Sequence, residues 1–174
     1  MEKGKEQEIA RLFSEHYEKV HNLCSRMCLN RSTAQEITQE VFIKVFRSLE
    51  GFRGESGVST WIYSIAVNQC LDHMRQEKRW YEKMPILKGL IRSAATPMEE
   101  NVINRHLGGQ ILGRMSPTNR TLLILKSYLD CSYEQIAGIM NMTPASVGVQ
   151  LTRARREALS IAKEEGIYDG MQRV

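Results

Sequence analysis

Apolar residues recur at Ile9, Leu12, Phe13, Tyr17, Val20, Cys24, Met27 and Cys28, the three-and-four spacing of one helical face, which predicts a helix over about residues 6 to 29. Asn30-Arg31-Ser32 breaks this stripe. Thr33 followed by Glu36 then has the form of a capping box, and Ile37, Val41, Val45, Ser48 and Leu49 make a second helical stripe ending near Leu49. Gly51-Phe52-Arg53-Gly54-Glu55-Ser56-Gly57 holds three glycines, each costing about 1 kcal/mol against alanine inside a helix, so a loop is expected there. Ser59 or Thr60 is placed to cap a third helix through Trp61, Ile62, Ile65, Ala66, Leu71 and Met74, whose end turns basic at Arg75, Lys78 and Arg79.

Periodicity lapses from Tyr81 to Met98, where Pro85 and Pro97 punctuate the chain, and this stretch reads as a linker. Glu99 to Arg114 is a helix candidate interrupted by Gly108-Gly109, and Ser116-Pro117 restarts the chain with proline at a first-turn position before Leu122, Leu123, Leu125 and Leu129. Ser132 with Gln135 repeats the capping box ahead of Ile136, Ala137, Ile139 and Met140. Asn141-Met142-Thr143 makes a turn, Pro144 opens the last helix, and Val147, Leu151, Ala154, Ala158, Leu159 and Ile161 form its stripe. No two-residue alternation is found. The predicted fold is therefore all-α, with two small helical domains over residues 1–80 and 99–174 joined by a linker over 81–98.

Charge narrows the partners. Lys+Arg 24 against Asp+Glu 20 leaves a net +4, so any nucleic-acid contact is local rather than a cationic coat. No apolar run approaches the roughly 18 residues that span a bilayer, and Met1-Glu2-Lys3-Gly4-Lys5-Glu6 lacks the apolar core of a signal peptide, so no membrane insertion and a cytoplasmic location are expected. Cys24, Cys28, Cys70 and Cys131 sit in apolar stripes and read as reduced thiols; His21, Cys24 and Cys28 share one helix without a zinc spacing, so no metal or other cofactor is expected. No P-loop, His-Glu-x-x-His or Gly-x-Ser-x-Gly pattern is present, and no catalytic residue is assigned.

Three constellations carry candidate chemistry. Short capped helix, three-residue turn and proline-started helix between Ser132 and Arg156 is the layout of a helix-turn-helix, with Thr143, Ser146, Gln150, Arg153 and Arg156 as groove candidates; an ordinary αα-hairpin has the same composition. Phe52, Arg53, Ser59, Trp61, Tyr63, Asn68, Arg75, Lys78 and Arg79 combine aromatic, amide and cationic groups suited to unpaired bases, while Phe52 and Trp61 can equally be core. Glu36, Gln39, Glu40, Lys44 and Arg47 form a polar stripe with Glu40 and Lys44 spaced for an ion pair, which fits a solvated face or a docking face. A dimeric operator-binding regulator and a thiol sensor built on Cys24 and Cys28 remain as other classes of reading.

Taken in order, these segments resemble a bacterial sigma factor of the extracytoplasmic function (ECF) group of the sigma-70 family. The resemblance is carried by Ala34-Gln35-Glu36-Ile37-Thr38-Gln39-Glu40-Val41-Phe42-Ile43-Lys44-Val45-Phe46, by Phe52-Arg53-Gly54-Glu55-Ser56, and by Ser59-Thr60-Trp61-Ile62-Tyr63-Ser64-Ile65-Ala66-Val67-Asn68. Ser132-Tyr133-Glu134-Gln135-Ile136-Ala137 and Leu151-Thr152-Arg153-Ala154-Arg155 carry it in the second half. The resemblance implies that Glu36, Gln39, Glu40, Ile43 and Lys44 dock on core RNA polymerase. It further implies that the loop from Phe52 and the helix from Trp61 to Arg79 capture a flipped base and the unwound strand of the −10 promoter element, with Asn68 in the base pocket. The helix-turn-helix would read −35 promoter DNA, with Ser146, Val147, Gln150 and Arg153 nearest the duplex, and an anti-sigma factor is the expected inhibitor. Gly148, Val149 and Gln150 stand where the family commonly carries basic and serine positions.

Overall fold

The computed structural model describes residues 2–52, 54, 57–83 and 107–166. Seven α-helices lie among them: α1 (Glu2–Cys28), α2 (Arg31–Ser48), α3 (Val58–Lys83), α4 (Leu107–Arg114), α5 (Pro117–Ser127), α6 (Tyr133–Met140) and α7 (Pro144–Glu164). No strand occurs among the described residues, in agreement with the all-α expectation. Arg53 and residues 84–106, including most of the expected linker and the start of the helix expected from Glu99, lie outside the described residues.

In the first half, α1, α2 and α3 pack on one another around Val20, Leu23, Met27, Val41, Val45, Ile62 and Val67, each fully buried. The stripe read along α1 is only partly core: Leu12, Val20, Cys24 and Met27 are buried, but Phe13 is 42% exposed. Phe13 instead lies against the rings of Tyr17 and Phe42, at centroid separations of 4.8 and 4.9 Å, on the rim of the α1–α2 contact. The second helix also starts earlier than expected, because Asn30 is its N-cap: the Asn30 Oδ1 accepts from the Thr33 N–H at 3.0 Å, leaving Glu36 free of a capping duty. Leu29, with φ 58°, makes the tight reversal between α1 and α2. Likewise α3 begins at Val58, with the Trp61 N–H donating to the Gly57 carbonyl, so neither Ser59 nor Thr60 is the cap; both lie in its first turn. The helix continues three residues past position 80, to Lys83.

In the second half, α7 packs against α4, α5 and α6 through Val147, Leu151 and Ala154. Pro117 opens α5 as expected, but Ser116 does not cap it with its own hydroxyl. Glu157 of α7 does that work across the fold: Oε1 accepts from the Ser116 N–H at 2.8 Å and Oε2 from Asn119 Nδ2. The two halves meet along α3 with α6 and along α1 with α4 and α5.

Candidate functional site

On α3, Trp61, Asn68, Arg75 and Arg79 follow intervals of seven, seven and four residues and therefore share one stripe. Asn68, Arg75, Lys78 and Arg79 are exposed, while Ser59 and Trp61 are half-buried. Phe52 folds back from the loop and stacks on Trp61, centroids 4.7 Å apart and planes 28° from parallel, so the two aromatics form a single platform at the start of the helix. Tyr63 does not join it. At 6% exposure it belongs to the core, where burial pushes its phenol up from the ordinary value, and the expectation that it faces bases is corrected. The reason is angular: residue 63 is two steps, about 200°, around the helix from Trp61. The basic run is also less free than its count suggests, since Arg75 pairs with Asp72 at 2.9 Å and Lys78 with Glu82 at 3.8 Å. Both pairs are exposed and cheap to exchange for a phosphate.

On α2, Glu36, Gln39, Glu40, Ile43 and Lys44 are all exposed, and Ile43 is an apolar side chain 48% exposed in the middle of the polar face. The ion pair expected between Glu40 and Lys44 is replaced by a relay. Lys44 Nζ donates to Gln69 Oε1 at 2.6 Å, and Gln69 Nε2 donates to Glu40 Oε2 at 3.0 Å. A residue of α3 thus holds both charged side chains of the α2 face, a role that helical spacing within α2 gives no signal for.

The α6–α7 unit has the predicted layout. Ser132 and Gln135 form the reciprocal capping box of α6, and Asn141 ends that helix in the left-handed conformation, φ 52°, with its N–H donating to the Ala137 carbonyl. Thr143 then caps α7: its Oγ1 accepts from the Ser146 N–H at 3.2 Å, and the two hydroxyls lie 2.8 Å apart. Thr143, Ser146, Arg153 and Arg156 are exposed, and Gln150 is half-buried. Val147 is fully buried and cannot touch DNA, so that expectation is corrected; it belongs to the same apolar stripe as Leu151 and Ala154. Near the start of this helix the exposed apolar side chain is Val149, 55% exposed and three residues beyond Ser146, with Thr152 also exposed; Leu159 is exposed further along. The position of the buried stripe was the signal for both. A Cβ at Gly148 would lie 3.4 Å from the Tyr133 ring, an ordinary van der Waals distance.

Three of the four thiols, Cys24, Cys28 and Cys70, gather in the first half, and Cys131 is buried in the second. Hydrogen bonding to Cys24 and Cys28, together with burial, pushes the Cys70 thiol far up, so it remains protonated within the α1–α3 contact. Among the described residues no group of three histidine, cysteine or carboxylate side chains is placed to hold a metal ion.

An all-helical chain with an aromatic and amide stripe on a long helix and a capped helix-turn-helix near its end belongs to the DNA-recognising class of helical proteins. The model of Sigma-70 region 2 matches residues 12–80, and that of Sigma-70, region 4 matches residues 109–157. The chain is 27% identical over 153 residues to the RNA polymerase sigma factor YlaC of Bacillus subtilis, covering 86% of this chain and 88% of that one. It is 28% identical over 171 residues to the ECF RNA polymerase sigma factor SigW of Bacillus subtilis (91% and 90% covered) and 28% identical over 168 residues to the ECF RNA polymerase sigma-E factor of Escherichia coli K12 (89% and 86%). Among solved structures it resembles the sigma factor RpoE of Bartonella quintana, crystallised with the anti-sigma factor NepR, at a TM-score of 0.71 and 16% identity over 90% of this chain and 98% of that one. It also resembles the structure of CnrH in complex with the cytosolic domain of CnrY, at a TM-score of 0.67 and 15% identity over 91% of this chain and 90% of that chain. The chain belongs to the sigma-70 family and is an ECF-type RNA polymerase sigma factor, a regulatory DNA-recognition protein of transcription initiation. No helix among the described residues is long and apolar enough to cross a membrane.

Proposed function

We propose that this chain works only within RNA polymerase holoenzyme, with residues 1–80 as the polymerase-docking and −10-recognising part, 81–98 as connection and 99–174 as the −35-reading part. Glu36, Gln39, Glu40, Ile43 and Lys44 are the docking face, an apolar centre ringed by charge, which is the composition of a protein interface. Asn68 reads a base taken out of the duplex, Phe52 and Trp61 supply the stacking platform, and Arg75, Lys78 and Arg79 hold the strand's phosphates. The exposed hydroxyls of Thr143 and Ser146 stand at the start of α7 as phosphate contacts, with Gln150, Arg153 and Arg156 further along the helix. It has no catalytic role of its own and acts in the cytoplasm, and an anti-sigma factor that covers these faces is its inhibitor.

The observation that carries this reading is the Trp61–Asn68–Arg75 stripe, exposed at Asn68 and Arg75, inside the region 2 match, on the same chain as the capped helix-turn-helix inside the region 4 match. Magnitudes support dependence on polymerase. Stacking one or two bases contributes about 1–3 kcal/mol each, whereas every base-pair step opened costs on average about 1.4 kcal/mol, so this face nucleates a bubble and the polymerase must maintain it.

Run-off transcription from a pooled genomic template with bacterial core polymerase tests the reading. Start sites that depend on the protein and share paired upstream motifs are expected. Failure to bind core polymerase combined with a shift of duplex DNA by the free protein would replace this reading with an operator-binding regulator.

A further inference from the structure

Cys70 of α3 and Cys24 and Cys28 of α1 form a cluster that neither polymerase docking nor DNA recognition uses. The Cys70 sulfur is within hydrogen-bond reach of both α1 sulfurs, and all three are free thiols. They differ in access. Cys24 and Cys70 are fully buried, whereas Cys28, the last residue of α1, is half-buried, so an oxidant in solution meets Cys28 first. Cys24 cannot serve as its partner: the two stand four apart on one helix, where Cβ atoms are about 5–6 Å from each other, beyond the roughly 3.5–4.5 Å of a disulfide. Cys70, on a different helix and already in contact, has no such restriction.

We propose that Cys28 and Cys70 are a reversible disulfide site, a thiol switch within this chain that responds to hydroperoxides and lowers promoter opening. In the first step the Cys28 sulfur attacks the peroxide O–O bond: an S–O bond forms, the O–O bond breaks, and the leaving oxygen departs with the thiol proton as alcohol or water. Sulfur is oxidised to a sulfenic acid and the peroxide is reduced. The Cys70 sulfur then attacks the Cys28 sulfur, the S–S bond forms, the S–O bond breaks, and the hydroxyl leaves with the Cys70 proton as water. Burial and hydrogen bonding keep Cys70 protonated, which makes this second step the slow one. A cellular dithiol resets the site by exchange, being oxidised to its own disulfide while both thiols return.

A disulfide holds its sulfurs about 2.05 Å apart, closer than two hydrogen-bonded thiols, so closure draws α1 and α3 together. The end of α1 is the less free to move, because Arg120 of α5 donates to the Met27 carbonyl at 2.6 Å, next in sequence to Cys28, and to the Met115 carbonyl at 3.2 Å. The shift therefore falls on α3 around Cys70, two residues from Asn68 and one from Gln69, which holds Glu40 and Lys44. A close-packed interior does not absorb such a shift locally, and the Asn68 amide is carried out of place for a base. This consequence rests on the −10 reading of α3 given above.

The test treats the full chain with hydrogen peroxide, maps its disulfides by peptide mass spectrometry, and follows promoter opening by the reconstituted holoenzyme with permanganate. A Cys28–Cys70 link is expected, with opening reduced several-fold and restored by dithiothreitol, which does not reverse methionine sulfoxide. Cys28→Ala and Cys70→Ala should each keep their own untreated level of opening, Cys131→Ala should respond as the native chain does, and dimedone should tag Cys28 in Cys70→Ala. Should Cys70→Ala fail to fold, Cys28→Ala, at the half-buried position, carries the same comparison. No link, or a link to Cys24, to Cys131 or between chains instead, overturns the site. A Cys28–Cys70 link with opening unchanged overturns the switch. If the reduced native protein opens no promoter, the −10 reading has failed, while the peptide map still decides for or against the disulfide.

Discussion

Gln69 of α3 donates from Nε2 to Glu40 of α2 at 3.0 Å while its Oε1 accepts from Lys44, so one amide fixes the two charges that flank the exposed Ile43. Glu40→Ala and Ile43→Ala are expected to weaken core-polymerase binding directly, each by about 1–2 kcal/mol, or roughly five- to thirtyfold. Gln69→Ala leaves both side chains present but unheld and is expected to cost less than either, with thermal stability unchanged. Titration of labelled core polymerase with the three variants checks the order, and a Gln69→Ala loss as large as that of Glu40→Ala would show direct contact by Gln69 instead.

Asn68 and Tyr63 lie five residues apart on one helix and separate function from stability. Asn68→Ala, at an exposed position, should abolish promoter opening with little change in melting temperature. Tyr63→Ala, at a buried one, should lower stability by on the order of 3 kcal/mol. Permanganate footprinting of the promoter and thermal melting of the free proteins together check both. Phe52→Ala occupies the middle: it removes half of the stacked platform, and its loss should be in opening more than in melting temperature.

Glu157 makes the second half sensitive to acid. Burial works to raise its carboxyl, but hydrogen bonds from Asn119 and Ser116 and the charge of Arg120 outweigh that and hold it below the ordinary value of 4.5. A carboxyl depressed in the folded state contributes stability above its unfolded value and loses it as pH falls through the lower folded value. Melting temperature should therefore drop as pH falls below about 4.5, and Glu157→Gln should lower it at neutral pH while flattening that dependence. Parallel melts from pH 3 to 7 with native and Glu157→Gln protein give the comparison.

Gly148 sits in α7 beneath the Tyr133 ring, 38% exposed and free to shift by a few tenths of an ångström. Gly148→Ala is expected to stabilise the protein by up to about 1 kcal/mol, because the helix gains alanine's propensity and the exposed ring gives way. A destabilised variant in denaturant melts would mean that the ring is held in place. Duplex binding at the −35 element should be unchanged by this methyl group.

Much of the second half was legible along the chain. The Ser132/Gln135 box, the Asn141 turn and the Pro144 start are local devices, made by residues within four positions of each other, and they stand where their spacing put them. Local signals failed where two local devices competed. Thr33 was read as the cap of α2, but Asn30 three residues earlier holds that place; at α3 Gly57 likewise precedes Ser59 and Thr60. Tyr63 and Val147 were misread for a different cause, since residue type suggested chemistry while helical angle already placed both on the apolar side.

By itself the sequence determined the helical fold class, the order of its two units and the exposed residue types that point to polymerase and DNA, because periodicity, capping and family motifs are written in short intervals. Only the tertiary structure decided the contacts made over long intervals: Glu157 as the cap of α5, Gln69 between Glu40 and Lys44, and Arg120 against the end of α1. These partners are 41, 29 and 93 residues apart, and a hydrogen bond between such positions depends on how helices cross, which no local pattern encodes.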